Sequence, residues 1–363
     1  MSFLTRQIEQ SLAIIEKYQG NTPFHLYLKD IFKQNKNWGS KDRKNYRAIC
    51  YTYFRFFQLL KGKFKEEIVA FLYDRISNSP TEEVDTKAYY FLEGHLSNEI
   101  SLQNINKDFS IEPEIYFRAL PKYIDQIEKD FHKQGIDCEK NQTVDGVFRI
   151  SAKINLETYL AQGKGYIQDL SCQLAILELS QNTALNRVWD CCSGAGGKSV
   201  DMVLLNPKIR LYCSDKRKQI LFNLKNRFET LGLPIPSMQE IDLLNDMDKL
   251  NDGFLNQPMV VADVPCTGSG TWRRNPENVV YFKEESIKKY ALIQNQILEN
   301  LNPLIAPNGS IFYMTCSVFK EENEENIDKF LRKHAYEIVF QKYFGGYEHR
   351  ADTIFGCLIR KRP

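Results

Sequence analysis

The sequence predicts an α/β protein whose largest domain is built on a doubly wound parallel sheet, preceded by an all-helical domain and a small α/β connector module. Apolar residues recur at helical spacing before residue 105, and short apolar runs alternate with long helical stretches after Gly165. A glycine-rich loop follows the first of these runs. We therefore predict the helical domain at residues 1–108, the connector at 109–162 and the domain with the parallel sheet at 163–363.

Composition excludes several classes of protein. The chain has 363 residues, of which 43 % are hydrophobic, and a net charge of only +2. No apolar run is long enough for a transmembrane helix, and Glu9 and Glu16 lie where a signal peptide needs apolar residues. Nine cysteines without a Cys-x-x-Cys pair argue against a disulfide framework and a zinc site. We expect a cytoplasmic protein with reduced thiols, no membrane partner and no metal.

The predicted helical domain contains a locally basic segment. Its first helix is indicated by Phe3, Leu4, Ile8, Leu12 and Ile15, which recur at helical spacing. Between residues 29 and 65 the chain carries eleven basic and two acidic side chains, so this segment has a charge of +9 and the remainder −7. Interleaved aromatic residues make the segment typical of RNA-binding surfaces, although a solvated helix face over an aromatic core gives the same pattern. We expect most of the aromatic residues to be core and the basic ones to contact RNA, in particular Lys41, Arg43, Lys44 and Arg47.

The connector and the last domain show different patterns. In the connector, residues 121–131 have the pattern of an amphipathic helix that ends near Gly135, and residues 144–150 have the β-branched content of a strand. In the last domain, six predicted strands cover residues 187–190, 210–215, 259–263, 310–315, 337–344 and 353–360. Helical stretches, including 216–231 and 286–304, separate them. This alternation predicts the parallel sheet.

The loop from Asp190 to Ser199 allows three interpretations besides a plain glycine-rich turn. The phosphate-binding loop of NTPases would explain Gly197, Lys198 and Ser199, but Cys192 stands where its first glycine belongs. A dinucleotide loop would explain two glycines but lacks the third. The third interpretation is an S-adenosylmethionine loop, in which an acidic residue ends the strand before the glycines.

Acidic residues at successive strand ends favour the third interpretation. Asp190 precedes the glycines, Asp215 ends the next strand, where it can hold ribose hydroxyls, and Asp242 can contact the adenine edge. Asp263 ends a further strand. Each of these residues alone could be a helix N-cap, but together they indicate a nucleoside cofactor.

Two cysteines follow predicted strand ends, where an open α/β sheet binds its ligands. Cys266 comes after Asp263, and Cys316 comes before an acidic run, residues 320–325, that we interpret as the first turn of a helix. A thiolate that adds to carbon 6 of a pyrimidine makes carbon 5 nucleophilic enough to accept a methyl group. A base must afterwards remove the proton from carbon 5. Two cysteines near one carboxylate suit this chemistry, although a lone cysteine is usually a small buried hydrophobe.

The segments that carry these residues resemble the RsmB/Sun family of RNA cytosine-5 methyltransferases. The resemblance spans roughly residues 110–363 and is strongest at residues 165–173, 190–199, 263–276 and 313–323. It implies a class I S-adenosylmethionine methyltransferase fold, which is Rossmann-like. Residues 38–43 are similar to the helical NusB-like N-terminal domain of bacterial members. The loop departs from the family at Ser193, Gly194 and Ala195, and residues 352–355 keep only part of a C-terminal family motif.

The resemblance also implies roles for individual residues. Cys316 would be the nucleophile, Cys266 would assist release of the methylated base, and Asp263 and Lys198 would complete the catalytic group. Arg273 and Arg274, just beyond Cys266, would grip phosphates near the target base. S-adenosyl-L-methionine would be held by Cys192, Ser193, Gly194, Ala195, Gly196, Gly197, Lys198, Asp215, Asp242 and Asp263.

The predicted function is methylation of RNA at carbon 5 of cytosine, in small-subunit rRNA, by a monomeric chain. The alternatives are the same chemistry on tRNA, a P-loop-like NTPase and a non-catalytic RNA-binding module. Glu277-Asn278-Val279 resembles a motif of the DNA cytosine-5 enzymes, but it lies too close to Cys266 to form the separate strand-borne element of those proteins.

Overall fold

A computed structural model describes residues 2–78, 89–150 and 154–363, with only the backbone of Tyr90. Parts of the predicted helical domain and of the connector therefore lie outside the described residues. The chain divides into two compact units. The helical unit comprises Met1–Leu96, Ile100–Glu112 and Thr271–Glu284, and the sheet unit comprises Ser97–Glu99, Pro113–Gly270 and Glu285–Pro363.

The helices of the described residues have the following bounds in chain order: α1 Phe3–Lys17, α2 Phe24–Gln34, α3 Ser40–Arg55, α4 Phe57–Leu60, α5 Lys65–Asn78, α6 Leu102–Ser110, α7 Ile124–Lys133, α8 Glu157–Ala161, α9 Leu170–Asn182, α10 Gly197–Leu205, α11 Lys218–Leu231, α12 Glu277–Tyr281, α13 Glu285–Leu301 and α14 Glu324–Leu331. In this part of the chain no helix is both long and apolar enough to cross a membrane.

The strands are β1 Ile115–Ala119, β2 Cys138–Lys140, β3 Val147–Ile150, β4 Gly165–Ile167, β5 Arg187–Asp190, β6 Arg210–Asp215, β7 Ser237–Glu240, β8 Gln257–Asp263, β9 Ile305–Thr315, β10 Tyr336–Gly345 and β11 Thr353–Lys361. They form two sheets, both of which belong to the sheet unit.

The helical unit has the aromatic core that the sequence predicts. Phe24, Tyr46 and Phe54 are buried together with Leu28, and the apolar face of α1 packs against α3 and α5. The start of α3 is fixed by Asp42, whose carboxylate accepts a hydrogen bond from the backbone N–H of Gly39 at 3.0 Å. The prediction that the aromatic residues of the basic segment are mostly core is confirmed.

Residues 271–284 belong to the helical unit, although the sequence interpretation assigned them to the last domain. Trp272 packs against Phe109 with ring centroids 5.5 Å apart, and Tyr281 packs edge-on against Tyr18 at 5.3 Å. These aromatic side chains gain burial inside the helical unit. The chain therefore leaves the sheet unit after Gly270 and returns to it at Glu285.

The smaller sheet is antiparallel, with strand order β2-β3-β1-β4. Phe117, Phe131 and Phe148 lie fully buried between this sheet and α7. The predicted helix after Pro121 and the predicted strand before residue 150 are both present. Strand β4, which the sequence interpretation assigned to the following domain, pairs with β1 and completes this sheet.

The larger sheet confirms the predicted fold class. Its strand order is β10-β11-β9-β8-β5-β6-β7, with parallel pairing from β9 to β7 and antiparallel pairing of β11 and β10 at one edge. Helices α9, α10 and α11 cover one face, while α13 and α14 cover the other. From β5 the chain continues to β6 and β7 on one side of the sheet, and from β8 it continues to β9 on the other side. A topological switch point therefore lies between the carboxyl ends of β5 and β8.

Candidate active site

The glycine loop joins β5 to α10 at this switch point. Gly194 and Gly196 both have left-handed backbones, with φ of +53° and +79°. A Cβ at Gly196 would lie 2.7 Å from Leu224 Cγ, whereas a Cβ at Gly194 would meet nothing within 4 Å. The loop therefore packs onto α11 at Gly196. At Gly194 the space above the loop is open. The Ser193 N–H anchors the loop by donating to the Ser214 carbonyl at 2.9 Å.

Asp190 lies beneath this loop at the end of β5. Its side chain is buried, and Ser199 Oγ donates a hydrogen bond to Asp190 Oδ2 at 2.5 Å. Among the described residues the other oxygen, Oδ1, has no hydrogen-bond partner. Burial raises the pKa of Asp190 to about 6, although the Ser199 hydroxyl and the Lys198 ammonium oppose the shift. Asp190 thus supports the loop from inside the protein.

A cavity of about 700 Å³ opens above the glycine loop. The structure brings nine of the ten predicted cofactor residues into its lining, and Gly196 is the exception because it packs against α11. The nine residues are Cys192, Ser193, Gly194, Ala195, Gly197, Lys198, Asp215, Asp242 and Asp263. The sequence interpretation missed further lining residues from β4–α9 and from α13, including Gln168, Lys289 and Tyr290.

Asp215 is held by its own neighbours. Its carboxylate accepts hydrogen bonds from the Gly194 N–H at 3.1 Å, the Arg217 N–H at 3.0 Å and the Arg217 guanidinium at 2.9 and 3.0 Å. Burial raises the pKa of Asp215, but the bonds from Arg217 and Gly194 outweigh burial and hold the pKa below its ordinary value. Arg217 is 59 % exposed. Its side chain is therefore accessible to solvent.

Lys198 and Asp263 form an ion pair that joins α10 to the end of β8. Burial lowers the pKa of Lys198, but the charge of Asp263 outweighs burial and raises the pKa well above its ordinary value, so the side chain is an ammonium. Asp242 also lines the cavity, and its carboxylate accepts from the Leu244 N–H at 3.0 Å. Charged groups from the first turn of α10, the end of β8 and the loop after β7 therefore line the cavity.

The two predicted catalytic cysteines lie side by side. Cys266 Sγ and Cys316 Sγ are 3.3 Å apart, in the loops that follow β8 and β9. Pro265, next to Cys266, lines the cavity. The hydrogen bond with Cys316, burial and the nearby charge of Glu322 all raise the pKa of Cys266 well above its ordinary range. This shift favours the protonated form of Cys266, whose S–H can donate to Cys316.

Only the end of the acidic run after Cys316, Glu324 and Glu325, forms the first turn of the helix that the sequence interpretation predicted. Helix α14 begins only at Glu324, so its N-terminus is not adjacent to Cys316. Glu322, which precedes the helix, is instead fully buried. Thr267 and Ser317, which follow the two cysteines, both donate hydrogen bonds to the Glu322 carboxylate. Sequence reasoning missed this residue because a charged run usually indicates a solvated surface.

The predicted RNA contacts differ in exposure. The prediction that Arg273 grips phosphate is wrong, because its side chain is only 1 % exposed and forms an ion pair with Asp108 at 2.9 Å inside the helical unit. Its carbonyl also accepts a hydrogen bond from the buried guanidinium of Arg55. Arg274, the next residue, has an exposed side chain.

Three of the four predicted contacts on α3 are exposed. Lys41, Lys44 and Arg47 are three residues apart, so they lie on one side of the helix. Arg43 is half-buried, and its Nε donates to the Trp38 carbonyl at 3.0 Å. These side chains give the helical unit a basic face.

Known proteins resemble the chain both in sequence and in fold. Residues 175–351 match the family of 16S rRNA methyltransferases RsmB/F. Over 205 residues, 55 % of this chain, the sequence is 29 % identical to the Bacillus subtilis (strain 168) protein named "Probable ribosomal RNA small subunit methyltransferase B". The chain spans less than half of that relative, namely 45 % of its length.

Two crystal structures share the fold. The structure of PH0851 has a TM-score of 0.76 at 19 % identity, covering 99 % of this chain and 100 % of that one. The structure of NSun6 from Pyrococcus horikoshii with SFG has a TM-score of 0.64 at 14 % identity, covering 77 % and 97 %. At these identities the likeness concerns the fold alone.

Proposed function

We propose that the chain, whose residues 175–351 match the RsmB/F family of methyltransferases, is an S-adenosylmethionine-dependent RNA methyltransferase that forms 5-methylcytosine. The observation that carries the proposal is the pair of thiols, 3.3 Å apart, beside a cavity lined by a glycine loop and the Lys198–Asp263 ion pair. An NTPase or a module that only binds RNA needs neither thiol.

The cavity fits S-adenosylmethionine. Its volume of about 700 Å³ is within the range of small-molecule sites. Gly194 leaves open space above the loop, so a ligand can approach the backbone there. Asp215 and Asp242 offer carboxylates to ribose and adenine, and a methyltransferase of the same fold was solved with SFG, an analogue of this cofactor. When bound, S-adenosylmethionine supplies an electrophilic methyl group on its sulfonium.

The residues of this chain supply the remaining chemistry. The Cys316 thiolate adds to carbon 6 of cytosine, which forms a carbon–sulfur bond and makes carbon 5 nucleophilic. Carbon 5 would then accept the methyl group that bound S-adenosylmethionine supplies. After a base removes the proton from carbon 5, the carbon–sulfur bond breaks and its electron pair returns to Cys316. Cys266 would assist this release, which its contact with Cys316 and its raised pKa support.

Small-subunit rRNA is the proposed substrate, with tRNA as the alternative for the same chemistry. The names of the matched family and of the Bacillus subtilis relative refer to small-subunit rRNA. The basic face of α3, with Lys41, Lys44 and Arg47, supports RNA binding by the helical unit because exposed basic side chains attract phosphate. Arg274 stays a candidate for the same role, and Arg273 does not.

The test is methyl transfer by the purified chain. It is incubated with S-adenosylmethionine labelled in its methyl group and, in parallel, with protein-free small-subunit rRNA, intact small subunits and tRNA, followed by nucleoside analysis. We expect labelled 5-methylcytidine in the rRNA or subunit sample and its loss in Cys316→Ala. Cys172→Ala is the matched control, because Cys172 is a buried core residue of α9. Full activity of Cys316→Ala, or a label in another nucleoside, would contradict the proposal.

A further inference from the structure

One buried carboxylate connects the two loops that carry the catalytic cysteines. Glu322 is 0 % exposed and lies in the sheet unit, between β9 and α14. Its Oε2 accepts hydrogen bonds from the Thr267 N–H at 2.9 Å and from Gln294 Nε2 at 2.8 Å. Its Oε1 accepts from the Thr267 hydroxyl at 2.5 Å and from the Ser317 hydroxyl at 2.6 Å. Thr267 follows Cys266 in the sequence, and Ser317 follows Cys316.

The network is arranged around a carboxylate at this position. Four donors converge on the two oxygens, which is the full acceptor capacity of a carboxylate. An amide has one acceptor oxygen and an NH₂ group, so with a glutamine at position 322 the Thr267 and Ser317 hydroxyls would have to accept instead of donate, and the network would have to rearrange. Burial outweighs the bonds from Ser317, Thr267 and Gln294, so the pKa of Glu322 is raised above its ordinary value.

The partners of Glu322 are fixed in turn. Gln294 on α13 also donates to the Pro265 carbonyl at 2.9 Å, so the same amide holds the residue before Cys266. The Gln294 carbonyl oxygen accepts from Asn326 Nδ2 at 3.1 Å and from the Tyr313 hydroxyl at 3.2 Å. Glu322 therefore belongs to a buried network in which its neighbours have little freedom to change partners.

We infer that Glu322 is a positioning residue, whose carboxylate holds the loops of Cys266 and Cys316 together and so sets the separation of the two thiols for attack and release. This inference rests on the proposed function and deepens it. Glu322 does not line the cofactor cavity. Its loss should therefore disturb the chemistry at the thiols without disturbing cofactor binding. The negative charge of Glu322 also favours the protonated form of Cys266.

The first test measures the separation of the thiols directly and needs no RNA. Phenylarsine oxide binds tightly only where one arsenic can bridge two neighbouring thiols, so its affinity reports the Cys266–Cys316 pair. Cys266→Ala identifies the signal that belongs to this pair. We expect Glu322→Gln to weaken that binding by about tenfold or more. Asp328→Asn, which removes an exposed acid from α14, should bind like the parent protein.

The second test separates positioning from general structural damage. Glu322→Gln should lower kcat by about thirtyfold while the KM for S-adenosylmethionine changes less than about twofold. Equal loss in kcat and cofactor affinity, or unchanged arsenical binding and kcat in a folded Glu322→Gln protein, would overturn the inference.

Two milder variants cover the case in which Glu322→Gln does not fold. Thr267→Val and Ser317→Ala each remove one hydroxyl donor and leave the carboxylate in place. Both should show a smaller fall in kcat with an unchanged KM, and parental kcat in both would also overturn the inference. If Cys316→Ala stays fully active, the proposed function fails, but the arsenical measurement still decides whether Glu322 holds the thiol pair.

Discussion

The cofactor side and the thiol side of the site are built in different ways. The cofactor side consists of one loop between β5 and α10 and of acidic residues at strand ends, held by local bonds such as those between Asp215 and Arg217. The thiol side consists of two loops joined through Glu322, which bonds to a residue 55 positions away. The cofactor side is therefore held mainly by contacts between residues that are close in the sequence. The thiol side depends on a buried network of residues that are far apart in the sequence. Substitutions on the two sides should consequently change different kinetic constants.

The largest effect is expected on the thiol side, from Cys266→Ala. Without the protonated partner 3.3 Å from Cys316, methyl transfer should occur once and release of the RNA should stall. The measurement is a denaturing gel, on which a protein–RNA adduct that survives denaturant should accumulate to about one per enzyme, with multiple turnover below about 1 % of the parent rate. Cys192→Ala, which removes a thiol from the cofactor side, should form no such adduct. If Cys266→Ala turned over at the parental rate, Cys266 would have no role in the release step.

The next effect is expected where the two sides meet, at the Lys198–Asp263 ion pair. Lys198→Met leaves Asp263 without its cation beside both the cavity and the thiol loop. Because such fixed charges act in a partly buried site, we expect kcat/KM to fall by about 100-fold. Steady-state kinetics with Lys216→Met as control tests this, since Lys216 lines the same cavity but is exposed. A similar loss in both variants would mean that the general positive charge of the cavity matters and the ion pair does not.

The same contrast explains how much of the molecule the sequence can predict. The bounds of β5 and β6, the loop with Gly197 and Lys198, and the convergence of strand ends all follow from local patterns and the topology of parallel sheets. Glu322 could not be predicted in this way, because an acidic run indicates a surface until its partners are known. A partial signal exists, since Cys316 and Glu322 lie in one segment that resembles the family.

Arg273 and Arg274 give the same lesson for the RNA contacts. The two residues are adjacent and chemically identical, yet one is buried against Asp108 and the other is exposed. Only the packing of Trp272 and its neighbours into the helical unit separates them. Sequence composition therefore predicts that a basic surface exists, but the tertiary contacts decide which basic residues belong to it.

The smallest effects are expected within the cofactor side. There, substitution of Gly196 should change protein stability, and substitution of Gly194 should change cofactor binding. Gly196→Ala should destabilise the protein by about 2–3 kcal/mol, because φ is +79° and the new Cβ would lie 2.7 Å from Leu224 Cγ.

Gly194→Ala should destabilise the protein only by the backbone cost of about 1 kcal/mol. Its Cβ enters the open space of the cavity, however, and should weaken cofactor binding about tenfold. Thermal unfolding and calorimetric titration of S-adenosylmethionine measure the two quantities separately. Gly232→Ala is the matched control, because Gly232 has φ of +66° and an uncrowded Cβ position but lies outside the cavity lining, at the end of α11. It should reproduce the stability loss of Gly194→Ala and leave the affinity unchanged; equal affinities for the Gly194 and Gly232 variants would place the cofactor away from the glycine loop.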